Sequence, residues 1–365
     1  METIHANGMT IDHGLRGGRT IVSERNGRTI VNTGALGGYL QRPYLTRNDT
    51  TYYLRTYVVG GHSYARVYRG WDYRGVRYYA YVPAYSYDPR FYVWAANPWL
   101  TPVYYSPAAW GWVGTPWFGF YADFFTPYPA YASASQWLAD YLLAANLQAA
   151  YQTQAEANAA AAQAPPNSSG GAHSAPAADT QTALSPEVKQ AIVDEVRRQL
   201  AARQAAAGKP LAAPSGAEVP AALNPAERVF VVSRHLDVTV PSTGQECSLT
   251  SGDVMMRLSD TPDANQNVTA SIQSSKKSDC AVGQTVAIGV QDLQEMHNQF
   301  LEQLDDGLKK LIDKGGRGGL PKPPGSAPAG GEVPTPPPDP MAAKQLIAQQ
   351  QQADQTEQQV AQAQQ

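Results

Sequence analysis

All 21 tyrosines and all 7 tryptophans of this chain lie between Tyr39 and Tyr151, in less than a third of its length. That crowding constrains the fold more than any other feature. Aromatic rings bring large contact area at low rotamer entropy, so a zone built of them must either pack or bind. Within it, Pro98, Pro102, Pro107, Pro116, Pro127 and Pro129 punctuate the run that holds Trp94, Trp99, Trp110, Trp112 and Trp117. From Val93 to Ser133 only Asp123 is charged. Prolines at this spacing exclude a long helix and a central strand. The expectation is an extended, turn-rich ribbon whose rings find cover in two ways: against neighbouring elements of the same chain, or against an external surface. The five tryptophans are the candidate contact residues for the second case.

Upstream of the ribbon the pattern is that of β-hairpins. Arg19-Thr20-Ile21-Val22 recurs as Arg28-Thr29-Ile30-Val31 around Asn26-Gly27, the strongest short-range hairpin signal. A second hairpin spans 51–59, Gly60-Gly61 and 62–69, with Tyr53, Arg55 and Tyr57 on one face and Tyr52, Leu54, Thr56 and Val58 on the other. A further short pair ends near Tyr81. Downstream, 136–162 reads as a helix capped by Ser135, its stripe of Trp137, Tyr141, Ala144, Leu147 and Tyr151 lying on the ribbon.

The rest divides by composition. Residues 163–184 and 208–224 are Ala/Pro linkers. Between them Ser185-Pro186-Glu187 opens a helix over 185–207 whose seam is Val188, Ile192, Val196 and Leu200. This seam either docks on a domain or pairs with a copy of itself. Residues 225–313 carry five short β runs (229–232, 236–240, 254–258, 268–272 and 286–290), which suggest a small barrel or a half-open sandwich. A helix opening at Asp292 and Glu295 then covers it through Leu293, Met296, Phe300, Leu304, Leu308 and Leu311. In the tail, 314–365, the Pro/Gly-rich run to Pro340 is expected to lack a packed core, and the Gln-rich 341–365 to form a frayed helix or a sticky disordered end. The fold class is therefore mixed and multi-module: a front module over 1–162, then a linker, a helix, a second linker, a small β-barrel with its helix, and a disordered tail.

Charge and chemistry narrow the function. Residues 1–95 hold twelve arginines against six acids, while the first lysine is Lys189, so the front is basic inside a chain of net charge −3. Guanidinium groups stack on rings, which suits anionic partners. The two cysteines, Cys247 and Cys280, are too few for a zinc site and sit in polar, turn-like surroundings, so a disulfide in an oxidising compartment is the preferred reading over two buried thiols. The start of the chain shows no basic and apolar leader. Compartment therefore reads as periplasmic or secreted if a signal lies upstream of Met1, and cytoplasmic otherwise. Ser63, in Gly61-His62-Ser63-Tyr64-Ala65, lies on the return strand of a hairpin and not on a strand-to-helix elbow. The six histidines share no helix face, and no metal or cofactor is expected. Only convergence of Asp253, Asp260, Asp292 and His235 in one cleft would favour an enzyme.

The aromatic stretches GGRTIVSERNGRTIV, GGYLQRPYL, FYVWAANPWLTPVYY and GTPWFGFYADFFTPYPAYASASQWLADYLLAANLQAAY resemble an uncharacterised group of bacterial exported proteins rich in Tyr, Trp and Gly. The back third, from RVFVVSRHLDVTV to DLQEMHNQFLEQLDDGLKKL, is similar to the same group and resembles a small SH3-like barrel with an added helix. The resemblance implies export and supplies no catalytic residue. The expected function is a non-enzymatic envelope binding or scaffolding protein, meeting cell-wall polysaccharide, a membrane interface or an envelope protein. Nucleic-acid binding through the Arg/Tyr hairpins is the second expectation, and an enzyme the third.

Overall fold

The computed structural model describes residues 2–15, 19–25, 27–33, 37–163, 183–207, 209, 218–276, 280–325 and 328–363. Most of the first expected linker and much of the second lie outside these residues. The chain contacts group into two units, Met1–Ala84 with Leu211–Pro220 and Gly330–Gln365, and Tyr85–Pro210 with Ala221–Ala329. This grouping puts the aromatic ribbon in the same unit as the back third.

The first unit is one antiparallel meander of eight strands in sequential order: β1 (Glu2–Ala6), β2 (Met9–His13), β3 (Arg19–Arg25), β4 (Arg28–Asn32), β5 (Gly38–Arg47), β6 (Thr50–Val59), β7 (His62–Tyr73) and β8 (Val76–Val82). Hairpins too small to stand alone become stable by joining edge to edge. The expected hairpins are present: Val22 faces Val31 across β3 and β4, and Tyr57 faces Tyr64 across β6 and β7. Strand β5 carries Pro43 at a register shift between Pro43 and Leu45, where a missing N–H costs no ladder bond.

The tail packs where a coreless segment was expected, and its Gln-rich end takes the helical alternative. Val333 is buried with Tyr52, Leu54, Ala65, Val67 and Val82. Helix α7 (Ala342–Ala363) lays Ala342, Leu346, Gln349, Ala353 and Thr356 on the same face of the sheet. A Gln-rich helix has little apolar surface, so its stability comes from a template. Ala353 packs on Met9, Ile11 and Ile21. Buried Gln349 donates to Ser23 Oγ at 2.8 Å and to the Ile30 carbonyl at 2.9 Å. Arg19 pairs with Asp354 at 2.7 Å and with Glu357 at 3.0 Å. On the same sheet face, Trp71 donates its indole N–H to the Glu218 carbonyl at 2.9 Å, and Arg69 grips the Glu218 carboxylate.

The second unit begins with a two-residue strand β9 (Tyr85–Ser86) and helix α1 (Pro89–Ala96), followed by β10 (Pro98–Val103), α2 (Pro107–Trp110), α3 (Pro116–Phe120) and β11 (Tyr131–Ser133). The ribbon is thus not merely extended. Asp88-Pro89, Ser106-Pro107 and Thr115-Pro116 each place proline in the first turn of a helix, where its lost N–H is harmless. Helix α4 (Ala134–Gln163) then runs through the ring cluster, and α5 (Pro186–Ala206) buries the expected seam of Val188, Ile192, Val196 and Leu200 in the same core. The self-pairing alternative for that seam is thereby replaced by docking within the unit.

The back third is not a barrel. Its strands are β12 (Val229–Val231), β13 (Leu236–Thr239), β14 (Glu246–Leu249), β15 (Val254–Arg257), β16 (Asn267–Ser274) and β17 (Thr285–Gly289), in the sheet order β12-β15-β16-β17-β13-β14. Closure would require the outer strands β12 and β14 to pair. Instead β12 is three residues long and is covered by α5 and by α6 (Val290–Lys314). Strand β14 was absent from the sequence reading, and Gly289 rather than Asp292 caps α6. Gly307 lets α6 approach α4, since a Cβ there would stand 2.9 Å from both Leu138 and Tyr141. Cys247 on β14 is bonded to Cys280, with Cα atoms 5.2 Å apart, which ties the outer strand to the loop before β17.

Candidate binding surface

The five candidate tryptophans fall into two groups. Trp110, Trp112 and Trp117 are buried, while Trp94 and Trp99 are half-buried and pack on the same core. Trp110 is sandwiched between Trp112 and Trp137, each 4.3 Å away between ring centroids. Trp117 meets Trp112 edge-on at 5.7 Å. The rings of the ribbon therefore cover one another and α4, and the first three are at most 8% exposed.

Beneath that stack lies a polar chain that the sequence reading missed. Trp110 Nε1 donates to Tyr131 Oη at 3.1 Å, and Tyr131 Oη donates to Asp140 Oδ2 at 2.9 Å. The Tyr128 amide also donates to Asp140 Oδ2, at 2.7 Å. Lys189 Nζ meets Asp140 Oδ1 at 2.8 Å, donates to the Thr126 carbonyl at 2.8 Å, and sits 3.8 Å from the centre of the Tyr128 ring. Burial pushes the Asp140 carboxyl up, against the pull of Lys189. Burial also pushes Lys189 down, against the pull of Asp140. The Tyr128 phenol rises to about 12, through burial first and the Asp140 charge second. Trp110, Tyr131, Asp140 and Lys189 are buried and linked to one another, with Lys189 neutralising Asp140, which is the pattern of an internal brace.

The four residues whose convergence would favour catalysis do not converge. Asp253 pairs with Lys276 at 2.7 Å, and Asp260 pairs with Arg228 and Arg257. His235 touches Asp237 at 3.1 Å, and Asp292 is held by Arg234 at 2.6 Å. Asp237 and Asp292 line an open groove of about 370 Å³ where β13 and β17 diverge beyond their single pair, Thr239 with Ala287. Asp253 and Asp260 are not part of it. A second cavity, of about 10 Å³, is lined by Glu195, Glu227 and His297, and has room for roughly one water. Among the described residues no group of three His, Cys, Asp or Glu side chains is placed to hold a metal ion.

Accessible aromatic surface is found instead on the first unit. The strands β5 to β8 put Tyr39, Tyr53, Tyr57, Tyr64, Tyr68, Tyr79 and Tyr81 on one face, opposite the face that carries Val333 and α7. Period-two alternation produces this division: aliphatic side chains point toward the tail segments, and tyrosines alternate with arginines on the other side. Arg55 is 1% exposed, with its guanidinium 4.0 Å from the Tyr68 ring centre, 4.6 Å from Tyr39 and 5.1 Å from Tyr79. Its Nε donates to Gln41 at 2.6 Å. Gly70 leaves room on this face for the rings of Tyr53 and Tyr79, which meet edge-on at 5.1 Å; a Cβ there would lie 2.6 Å from Tyr53.

Toward the Gly60-Gly61 turn the surface opens. Tyr57 and Tyr64 stack at 5.1 Å with planes 16° apart, and the Arg66 guanidinium lies 5.0 Å from the Tyr64 ring. Tyr39, Tyr53, Tyr57, Tyr64, Arg66 and Tyr79 are all half-buried. Burial raises the Tyr79 phenol, helped by Tyr53 and opposed by the Gln41 hydrogen bond and by Arg55, so it remains a neutral donor. Over β5 to β8 the face carries Arg55, Arg66 and Arg77 with Asp72, which Arg77 engages at 2.8 Å; the same face continues to Glu24 on β3 and Asp12 on β2. Comparison of the chain with protein-family models, with curated proteins and with solved structures finds no match. Among the described residues no helix is long and apolar enough to cross a membrane.

Proposed function

We propose that this chain is a non-enzymatic binding protein of an extracytoplasmic compartment, and that the Tyr/Arg face of the eight-stranded sheet holds an extended, anionic cell-envelope polysaccharide. The observation that carries this reading is the half-buried row of tyrosine rings around Arg55 and Arg66. Flat rings present apolar faces to sugar rings, phenol hydroxyls donate to sugar oxygens, and guanidinium groups meet carboxylate or phosphate on the polymer. The Cys247–Cys280 bond favours an oxidising compartment. Resemblance to exported Tyr-rich proteins points the same way. Trp110, Trp112 and Trp117 are buried in the second unit, and in this reading the contact rings are the tyrosines.

The test is retention of the full chain on insoluble cell wall and on a soluble anionic wall polysaccharide. Changing Tyr57 and Tyr64 together to Ala is expected to weaken binding by roughly tenfold or more, at about 1 kcal/mol per ring. Equal retention of the variant would remove the reading. Stacked Tyr57 and Tyr64 beside Arg66 would also suit bases of a single-stranded nucleic acid. A preference for oligonucleotide, with binding that falls steeply as salt rises, would favour that alternative.

A further inference from the structure

A basic, glycine-rich loop follows α6 in the second unit. The helix ends on Lys309, Lys310 and Lys314; Gly315-Gly316-Arg317-Gly318-Gly319 comes next, and Lys322 lies just beyond. The Leu320 amide donates to the Arg317 carbonyl at 3.1 Å, and Gly318 and Gly319 between them have φ of 61° and 93°, the values of a type I′ turn. The Gly316 amide donates to the Leu320 carbonyl at 3.0 Å and closes the loop. Contact with the aromatic ribbon also demands glycine here. A Cβ on Gly319 would stand 2.5 Å from the Tyr104 carbonyl oxygen, and one on Gly318 would stand 3.0 Å from the Tyr105 ring. Both glycines are exposed, and among the described residues neither amide has an acceptor.

Cations gather at this turn. Lys314 Nζ reaches the Ala109 carbonyl at 3.5 Å, and Gly318 lies against the same alanine, so the ammonium group and the turn share one support. Lys310 stands one helical turn earlier, with its Nζ 5.6 Å from the centre of the Tyr141 ring. Burial and then the Lys314 charge push the Lys310 ammonium down, with no carboxylate acting to offset them. Lys309 is engaged by Asp313 at 2.7 Å, but among the described residues no ion pair engages Lys310, Lys314, Arg317 or Lys322. A lysine at a helix C-terminus answers the dipole, which accounts for Lys314 and not for the crowding around it. We propose that the Lys314–Gly319 loop, together with Lys310, binds a phosphate group presented as a phosphomonoester. Two ammonium groups, the Arg317 guanidinium and two turn amides exceed what the two oxygens of a carboxylate can use, whereas a phosphomonoester brings three oxygens and nearly two charges. Tyr104, 69% exposed and in contact with Gly319 through its carbonyl, offers a flat ring to a sugar that carries the phosphate.

The test is titration of the full, disulfide-bonded chain, labelled with 15N at glycine, with inorganic phosphate and with glucose 6-phosphate at constant ionic strength. Saturable shifts of the Gly318 and Gly319 amide signals are expected with both. Tighter binding of the sugar phosphate, lost in Tyr104→Ala, would identify a phosphorylated saccharide as the source; equal binding would identify free phosphate. Changing Lys310 and Arg317 together to Gln should weaken binding by roughly tenfold or more. Both side chains are exposed, so the variant should keep the near-ultraviolet circular dichroism of the parent. The proposal is overturned if no saturable shift occurs, if the double variant binds equally well, or if chloride produces the same shifts. Changing Tyr57 and Tyr64 to Ala should leave phosphate binding intact, so the polysaccharide reading and this one fail separately. Loss of phosphate binding in that variant would assign the anion to the sheet face and overturn the loop site.

Discussion

The two units use aromatic residues in opposite ways. In the first, tyrosines stand on one face of a sheet and cover an arginine, with Tyr57 and Tyr64 half-open to solvent. In the second, tryptophans stack into a core around α4, with the buried Lys189–Asp140 pair beneath them. The difference lies in what accompanies the rings. Alternation with arginine on a strand keeps one side of each ring pair wet. Proline-initiated short helices with no charges let rings turn inward from several directions. An abundance of aromatic residues therefore does not by itself locate a binding surface; the neighbours of each ring do.

The contrast can be broken most directly at the rings. Trp110→Ala should cost about 3–5 kcal/mol of stability, as large-to-small core changes do. Tyr64→Ala should stay within about 1 kcal/mol. Chemical denaturation of both variants measures the gap, and equal losses would erase the distinction. Lys189→Met leaves Asp140 enclosed without its cation and should also cost about 3–5 kcal/mol, with much of the loss restored when Asp140→Leu is added. Opening the Cys247–Cys280 bond with reductant should cost about 3–4 kcal/mol on the chain-entropy account, and hydrogen exchange should report it in β13 and β14 first.

Smaller effects sharpen the picture. Leu346→Ala should cost about 2 kcal/mol and loosen amide protection in β3 to β6 without affecting α4 or α5. Acid acts on the second unit through Glu227. Burial works to raise its carboxyl, but His297 at 2.9 Å and Arg198 at 3.1 Å outweigh it and hold the group below its ordinary value. A carboxyl depressed in the folded state contributes fully above its unfolded value and loses that contribution as pH falls through the folded value. Melting temperature should therefore drop on acidification from the ordinary glutamate range downward. In Glu227→Gln that slope should be shallower.

Much of the local structure was legible. The repeated Arg-Thr-Ile-Val around Asn-Gly announced β3 and β4, Gly60-Gly61 announced β6 and β7, and Ser185-Pro186 announced α5, whose Ser185 hydroxyl accepts from the Val188 amide at 3.3 Å. Ser106-Pro107 and Thr115-Pro116 carry the same signature at the starts of α2 and α3, within a run whose prolines otherwise read as helix breakers. Other features had no local signature. Gln349 belongs in a core only because the carbonyl of Ile30 and the hydroxyl of Ser23 are waiting for it. Asp140 and Lys189 stand on different helices, and nothing near either one announces its partner. The barrel failed because five β runs specify strands but do not specify whether the outermost two meet.

The position of α7 has a consequence for biosynthesis. Strands β2 to β6 leave the ribosome early, yet the face that buries Ile11, Ile21 and Leu346 stays uncovered until residues 342–363 have been made. For most of translation the nascent sheet is a sticky half-structure, a client for whatever holdase or translocation machinery keeps such edges apart. Ribosome stalling or premature termination shortly before residue 342 would release a chain whose second unit has all its parts and whose first unit has an open apolar flank.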